Sequence, residues 1–333
     1  MNNTGIILTL AYPETIVKVS DEWFAPYLWY VGIGKKNYVR AGHAAVVLIE
    51  KATGNLSYHD FGRYVTPFAH GRVRGKDTDH ELDFPLHAEF ENREIKNLND
   101  ILIFLATHPK LTHGEGKMIA SVCDEIDFEK AQSYIKKMES RDFIRYAVFK
   151  NEATNCSRFV TQTLIASVNN EQIKNRLIRS TRFTPSTVGN VIIADNKNKI
   201  YEISEEGKFH DFSSSIRREN IRCFLDRLKV HKPNDIGTLH PKTVEGVSSH
   251  AQWLGGTGAG AWFELYTTET RHLYRYKRIS AYGNIDVNGI YMLEDLSFNY
   301  NDDYIFVHYS NCKFFHIKQG EKIYRFDLTK KLS

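Results

Sequence analysis

Cysteine is scarce in this chain: Cys123, Cys156, Cys223 and Cys312 are the four thiols in 333 residues. No two of them form a C-x-x-C pair, which excludes a zinc ribbon and a disulfide-dense framework. Scattered thiols suit a reducing compartment, and the expected location is cytoplasmic. Proline is also scarce, at 8 residues, while aromatics reach 13%, a balance that favours strand-rich cores. Charge of one sign is missing: 44 basic residues against 40 acidic leave +4 over the whole chain. That excludes the electrostatic footprint of a nucleic-acid binder or of a protein held on an anionic membrane. Long hydrophobic runs are missing too. Residues 44–49 and 101–106 fall far short of the roughly 18 apolar residues a membrane helix needs, so no transmembrane segment is expected. Residues 5–12 are apolar, but no basic residue precedes them and no small-residue cleavage pattern follows, which makes a poor signal peptide.

What is present is globular, with 42% hydrophobic and 25% charged residues, and long enough for two units of about 100–200 residues each. Trp23, Phe24, Tyr27, Leu28, Trp29 and Tyr30 make a dense aromatic segment, read as a leading segment or lid. Residues 42–50 are a continuous apolar run of strand length, and Gly54-Asn55 turns it into a second strand at 56–58; the first strand should be central. Residues 67–85 are polar, a loop long enough to be functional or an insertion. Apolar spacing predicts helices over 97–107 and 127–140, and strands over 115–122 and 143–150. Thr154 or Asn155 caps a helix that begins at Cys156. A strand pair is expected at 191–194 and 200–203, and a short helix within 216–228. Beyond residue 241, six strands at regular spacing suggest a small β-sandwich or barrel. The expected fold class is α+β, with domains at 1–180 and 241–333 joined by a connecting region at 181–240.

A cysteine in the first turn of a helix feels the positive end of the helix dipole and unpaired N–H groups. Both favour the thiolate, so Cys156 is the candidate nucleophile. A thiol of this kind needs a base, and His43, opening the apolar run just after Gly42, can be its imidazole. Each residue alone has a plainer reading, as a small buried hydrophobe and a hydrogen-bonded rim histidine.

The segment from Gly42 to Leu48, followed about 110 residues later by Asn155-Cys156-Ser157-Arg158-Phe159-Val160, resembles the circularly permuted papain-like hydrolases. These are relatives of NlpC-type peptidases and lecithin:retinol acyltransferase-like enzymes. The resemblance covers residues 38–170 and implies a papain-like domain in which His43 precedes the Asn-Cys motif. It also implies a third polar residue on the strand after the histidine. His59 and Asp60 occupy that region and point to opposite faces of a regular strand, so only one can serve. Asp60 can fix the imidazole tautomer and stabilise imidazolium; His59 better matches the acyltransferase-like branch.

Other motifs carry less. Arg72 and Arg74 could clamp a substrate carboxylate. His80, Asp83, His87 and Glu89 match no zinc spacing, and neither metal nor cofactor is expected. Residues 255–260, Gly-Gly-Thr-Gly-Ala-Gly, lack the strand-then-helix context of a dinucleotide loop and read as a turn or a close backbone approach. The alternation of Arg271, Tyr274, Tyr276 and Arg278 reads as a polar strand face rather than a polymer-binding one. The functional expectation is a cysteine peptidase or amidase acting on a peptide or an acylated small molecule. The alternatives are a thiol acyltransferase and a non-catalytic binding protein on the same scaffold.

Overall fold

All eight residues of strand β1 (Gly5–Tyr12) are buried and all but Thr9 and Tyr12 lack a polar side chain, as suits a strand paired on both edges. The computed structural model describes residues 3–150, 152–231, 241 and 244–332. The chain divides into two units: Met1–Gly62 with Phe84–His231, and Arg63–Asp83 with Lys232–Ser333. The expected junction at 240–241 involves residue 240, outside the described residues.

In the first unit β1 pairs antiparallel with β2 (His43–Glu50) on one side and β4 (Met118–Ile126) on the other. Strand β3 (Leu56–Gly62) pairs with β2, while β5 (Ile200–Ile203) and β6 (Phe209–Asp211) extend the sheet beyond β4. The Gly54-Asn55 turn is present, with Glu50 N donating to Asn55 O. Helices pack on the sheet and on one another: α1 (Leu98–Thr107), α2 (Phe128–Glu139), α3 (Cys156–Ser167), α4 (Glu171–Ser180), α5 (Thr187–Ala194) and α6 (Ile216–Phe224). Asp127 caps α2 by accepting from Lys130 N.

One expected strand is a helix and another is shorter than expected. Residues 191–194 lie in α5, whose cap Ser186 accepts from Gly189 N and whose Val188 and Val191 pack on Ala11 and Ile119. β-branched residues there are chosen for packing against the sheet, and tertiary burial outweighs their strand preference. In the segment 143–150 only Ile144–Arg145 is extended as a strand. Beyond it, side chains replace a ladder: Asn155 Nδ2 donates to Ala147 O, Arg158 to Val148 O, and Glu22 accepts from the N–H groups of Val148 and Phe149.

The second unit is antiparallel and barrel-like. Its strands are β7 (Gln252–Leu254), β8 (Ala261–Thr267), β9 (Leu273–Ser280), β10 (Ile285–Leu293), β11 (Ile305–Val307), β12 (Phe314–Gln319) and β13 (Lys322–Lys331). They follow the order β7-β8-β9-β10-β13-β12-β11. The ends of this order meet through Gln252, whose side chain donates to Tyr304 O and accepts from Phe306 N. Aromatic rings fill the interior, with Phe315 stacked between Tyr276 and Phe326 at 4.1 and 4.5 Å. The glycine run allows a close approach: Gly258 N donates to Arg63 O and Val65 N to Ala259 O, and a Cβ at Gly256 would stand 2.7 Å from Val65 N. Among the described residues no helix is long and apolar enough to cross a membrane.

Candidate active site

Gly42 turns the chain into β2 at φ +73, and a Cβ there would meet Thr187 Oγ1 at 3.0 Å and Tyr12 O at 3.1 Å. A side chain fits neither the backbone conformation nor the space. His43 follows as the first residue of β2, opposite Tyr12 on β1, with the two rings stacked at 6.3 Å.

Ala45 stands opposite Asp60 in the β2–β3 register, so strand alternation puts His43, Ala45, Tyr58 and Asp60 on one face. His43 Nε2 lies 3.1 Å from Asp60 Oδ2. The hydroxyl of Tyr58 reaches the same Oδ2, and the carbonyl of Thr112, at 3.1 Å each. Asp60 is fully buried, so these donors are what make its charge tolerable. His59 turns to the other face, where Nε2 meets Ser57 Oγ at 3.0 Å. Of the two residues weighed for the third position, the structure brings Asp60 to His43.

Cys156 is the first residue of α3. Asn155 caps the helix by accepting from Arg158 N at 2.9 Å, and its amide donates to Ala147 O at 3.2 Å. Arg158 reaches back to Ala153 O at 2.9 Å and so ties the loop before the cysteine to the helix after it. Asn190 on α5 locks the same turn: its amide donates to Ser157 O at 2.8 Å, and its oxygen accepts from Thr161 at 2.7 Å. These contacts hold the thiol at the N-terminus of a twelve-residue helix without help from its own side chain.

The thiol of Cys156 and the imidazole of His43 are hydrogen-bonded. Burial pushes the thiol up, but the His43 hydrogen bond and charge, with the N–H groups of Ala44 and Ser157, bring it below the ordinary cysteine value. For His43, burial pulls down while the hydrogen bonds to Asp60 and Cys156 push up, and the net result is a pKa raised to about 9. The two shifts agree on one charge state, thiolate beside imidazolium. The other thiols behave differently: burial pushes Cys123 and Cys312 up to about 12, and Cys223 upward as well.

Cys156 lines a cavity of about 570 Å³. Its other walls include Phe24, Ala25 and Leu28 from the aromatic leading segment, which forms a 3₁₀ helix at Ala25–Val31, and Val39, Tyr146 and Phe183. The expected arginine clamp is not at this site. Arg72 and Arg74 belong to the second unit and are buried there; Arg72 is bidentate to Asp79 at 2.5 and 2.6 Å, and Arg74 lies over the Tyr64 ring at 4.1 Å. A basic pair in a loop-like sequence gave no sign of the carboxylates that would neutralise it. Sequence reasoning also missed Tyr58 and Asn190, the first hidden in strand alternation and the second in a Gly-Asn pair that reads as a break in the chain ahead of residue 191.

A family model described as type VI secretion system effector TseH-like matches residues 7–173, and one described as DUF6695 C-terminal domain matches residues 251–329. Among solved structures, the crystal structure of the type VI secretion system effector TseH is similar at 17% identity, over 63% of this chain and 98% of that chain, with a TM-score of 0.44. No curated protein matches. The first family match spans half of the sequence and contains His43, Asp60 and Cys156; the chain belongs to the type VI secretion system effector TseH-like family.

Proposed function

We propose that the first unit is a papain-like cysteine hydrolase that cleaves an amide or ester carbonyl, and that the chain acts as an effector of the kind its family describes. The observation that carries the reading is the continuous hydrogen-bonded series Asp60–His43–Cys156, ending on a thiol held below its ordinary pKa at a helix N-terminus.

The Cys156 thiolate attacks the carbonyl carbon, and the first-turn N–H groups of α3 stabilise the oxyanion that forms. His43, engaged by Asp60 through Nε2, leaves Nδ1 for the thiol and then for the leaving group. It donates its proton to the departing amine or alcohol, then takes one from the water that hydrolyses the thioester. Asp60 holds the ring in place and favours its charged form without being protonated itself.

Iodoacetamide labelling of the native protein across pH tests this. One thiol, identified as Cys156, reacts with an apparent pKa well below 8.5, and His43→Ala returns it to the ordinary range. Slow labelling of all four thiols to the same degree would overturn the enzyme reading and leave a binding protein on this scaffold.

A further inference from the structure

The cavity beside Cys156 joins two chemistries. Val17, Leu28, Ile33, Val39 and Val188 give it an aliphatic lining, yet one carboxylate belongs to the same wall: Glu219 of α6, which is 5% exposed. Its Oε1 accepts from Ser214 Oγ at 2.6 Å, which fixes the carboxylate, while Oε2 is buried without a hydrogen bond. Arg222 stands 2.9 Å from Oε2 but lies outside the wall, half-exposed, and is shared with Glu14 at 3.5 Å. One guanidinium thus serves two carboxylates. A buried acceptor without a donor is costly, and in a cavity the missing donor is one that a ligand can bring. Of the charged residues in the wall, Lys18 and Glu219, only the second can receive it.

A ligand that satisfies both chemistries has an aliphatic stem and a cationic end, and among amino acids that is a basic side chain. With Oε1 already taken, a single open oxygen suits the point charge of an ammonium better than the two-pronged guanidinium. Thr184, Thr187 and Asn220 stand in the same wall, and among the described residues their side chains take part in no hydrogen bond. They can pair with the amides of a peptide backbone. Ser20, Ser186 and Asn155 are already engaged: Ser20 donates to Glu22, Ser186 caps α5 and the Asn155 amide donates to Ala147.

We propose that Glu219 is a specificity residue and that the substrate is a polypeptide with an L-lysine beside the scissile bond, its butyl stem along Leu28, Ile33 and Val39 and its ammonium on Glu219 Oε2. This rests on the hydrolase reading of the same site. Cys156 forms a thioester with the acyl part while the C–N bond breaks and the amine leaves with a proton from His43. Water then cleaves the thioester, releasing the carboxylic acid and restoring the thiol.

The experiment measures kcat/KM on internally quenched peptides of L-amino acids, identical except at one position that holds lysine, Nε-acetyllysine, norleucine or glutamate, with the cleaved bond read by mass spectrometry. Lysine exceeds norleucine, its uncharged counterpart of equal stem, by roughly 10- to 100-fold, the worth of a hydrogen bond to a charged group. Acetyllysine and glutamate do no better than norleucine. In Glu219→Gln the lysine-to-norleucine ratio drops to about one. The wild-type series depends on no variant folding, and a binding measurement stands beside it: the lysine peptide raises the Tm of Cys156→Ala more than the norleucine peptide does. With a selectively labelled Cys156, a wild-type ratio near one, a ratio that survives Glu219→Gln, a preference for glutamate or no cleavage of any of these peptides overturns the assignment of Glu219 and leaves the hydrolase standing. Loss of selective Cys156 labelling overturns the hydrolase reading itself.

Discussion

Two regions of this molecule bury ionisable side chains, and they resolve the cost in opposite ways. In the second unit Asp79 accepts from both terminal nitrogens of Arg72, from Arg278 at 2.8 Å and from the hydroxyl of Thr78 at 2.8 Å. Burial raises that carboxyl, but the two guanidinium groups outweigh it and hold Asp79 far below the usual carboxylate range. The carboxylate of Asp79 spends both of its oxygens on neighbours. In the first unit the series Asp60–His43–Cys156 spends its valences along a line, and the last group opens on a cavity. Saturated charge gives rigidity; charge left with one open face gives chemistry.

The sharpest way to break this contrast is to remove the last group in the line. Cys156→Ala removes the proposed nucleophile; if the protein is the covalent hydrolase proposed here, turnover falls by about 10⁴-fold or more, with unfolding midpoints close to wild type. Asp79→Ala should do the reverse. It strands two buried guanidinium groups and is expected to cost about 3–5 kcal/mol in denaturant unfolding, leaving the Cys156 labelling profile of the folded protein unchanged. The pH response separates the regions as well. Since folding lowers the Asp79 pKa, the stability it confers is present above the normal carboxylate range and is lost as pH falls below it. Activity should instead fail on the alkaline side, as His43 gives up its proton near pH 9; a kcat/KM profile with no decline there contradicts the ion pair.

Asp60→Asn makes a smaller change. The amide oxygen still accepts from the ring, but a hydrogen bond to a charged group is exchanged for a neutral one. The difference of about 1 kcal/mol corresponds to roughly a fivefold fall in rate and a thiol pKa shifted upward. Smallest of all is Cys123→Ser, expected to leave labelling kinetics unaltered, since burial already keeps that thiol protonated.

Most of the hydrogen-bonded series Asp60–His43–Cys156 was legible because its signals are local. An apolar run opened by His43 and an Asn-Cys pair before an amphipathic stretch each report their own backbone setting. The choice between His59 and Asp60 was reduced to a question of strand face, and only the register against β2 answers it. Arg72 was misread for the opposite reason. Its partner Asp79 sits 7 residues away and the second cation on that carboxylate, Arg278, more than 200, and nothing in a polar stretch distinguishes an arginine waiting for solvent from one waiting for a buried carboxylate. Val191 was misread because β-branched residues fit a strand and a tightly packed helix face alike. The apolar character of residues 5–12 follows from their place in the sheet, paired on both edges with every residue buried.

The segment Arg63–Asp83 belongs to the second unit, although residues of the first lie on either side of it in the chain. This has a consequence for synthesis. The ribosome delivers Asp79 early and its partner Arg278 only 199 residues later, so the ion cluster stays incomplete until nearly the whole polypeptide has emerged. The boundaries at which sequence families are matched are therefore not places where the chain can be cut: a fragment beginning at residue 251 would carry Arg278 into a barrel with no carboxylate from Asp79 to receive it.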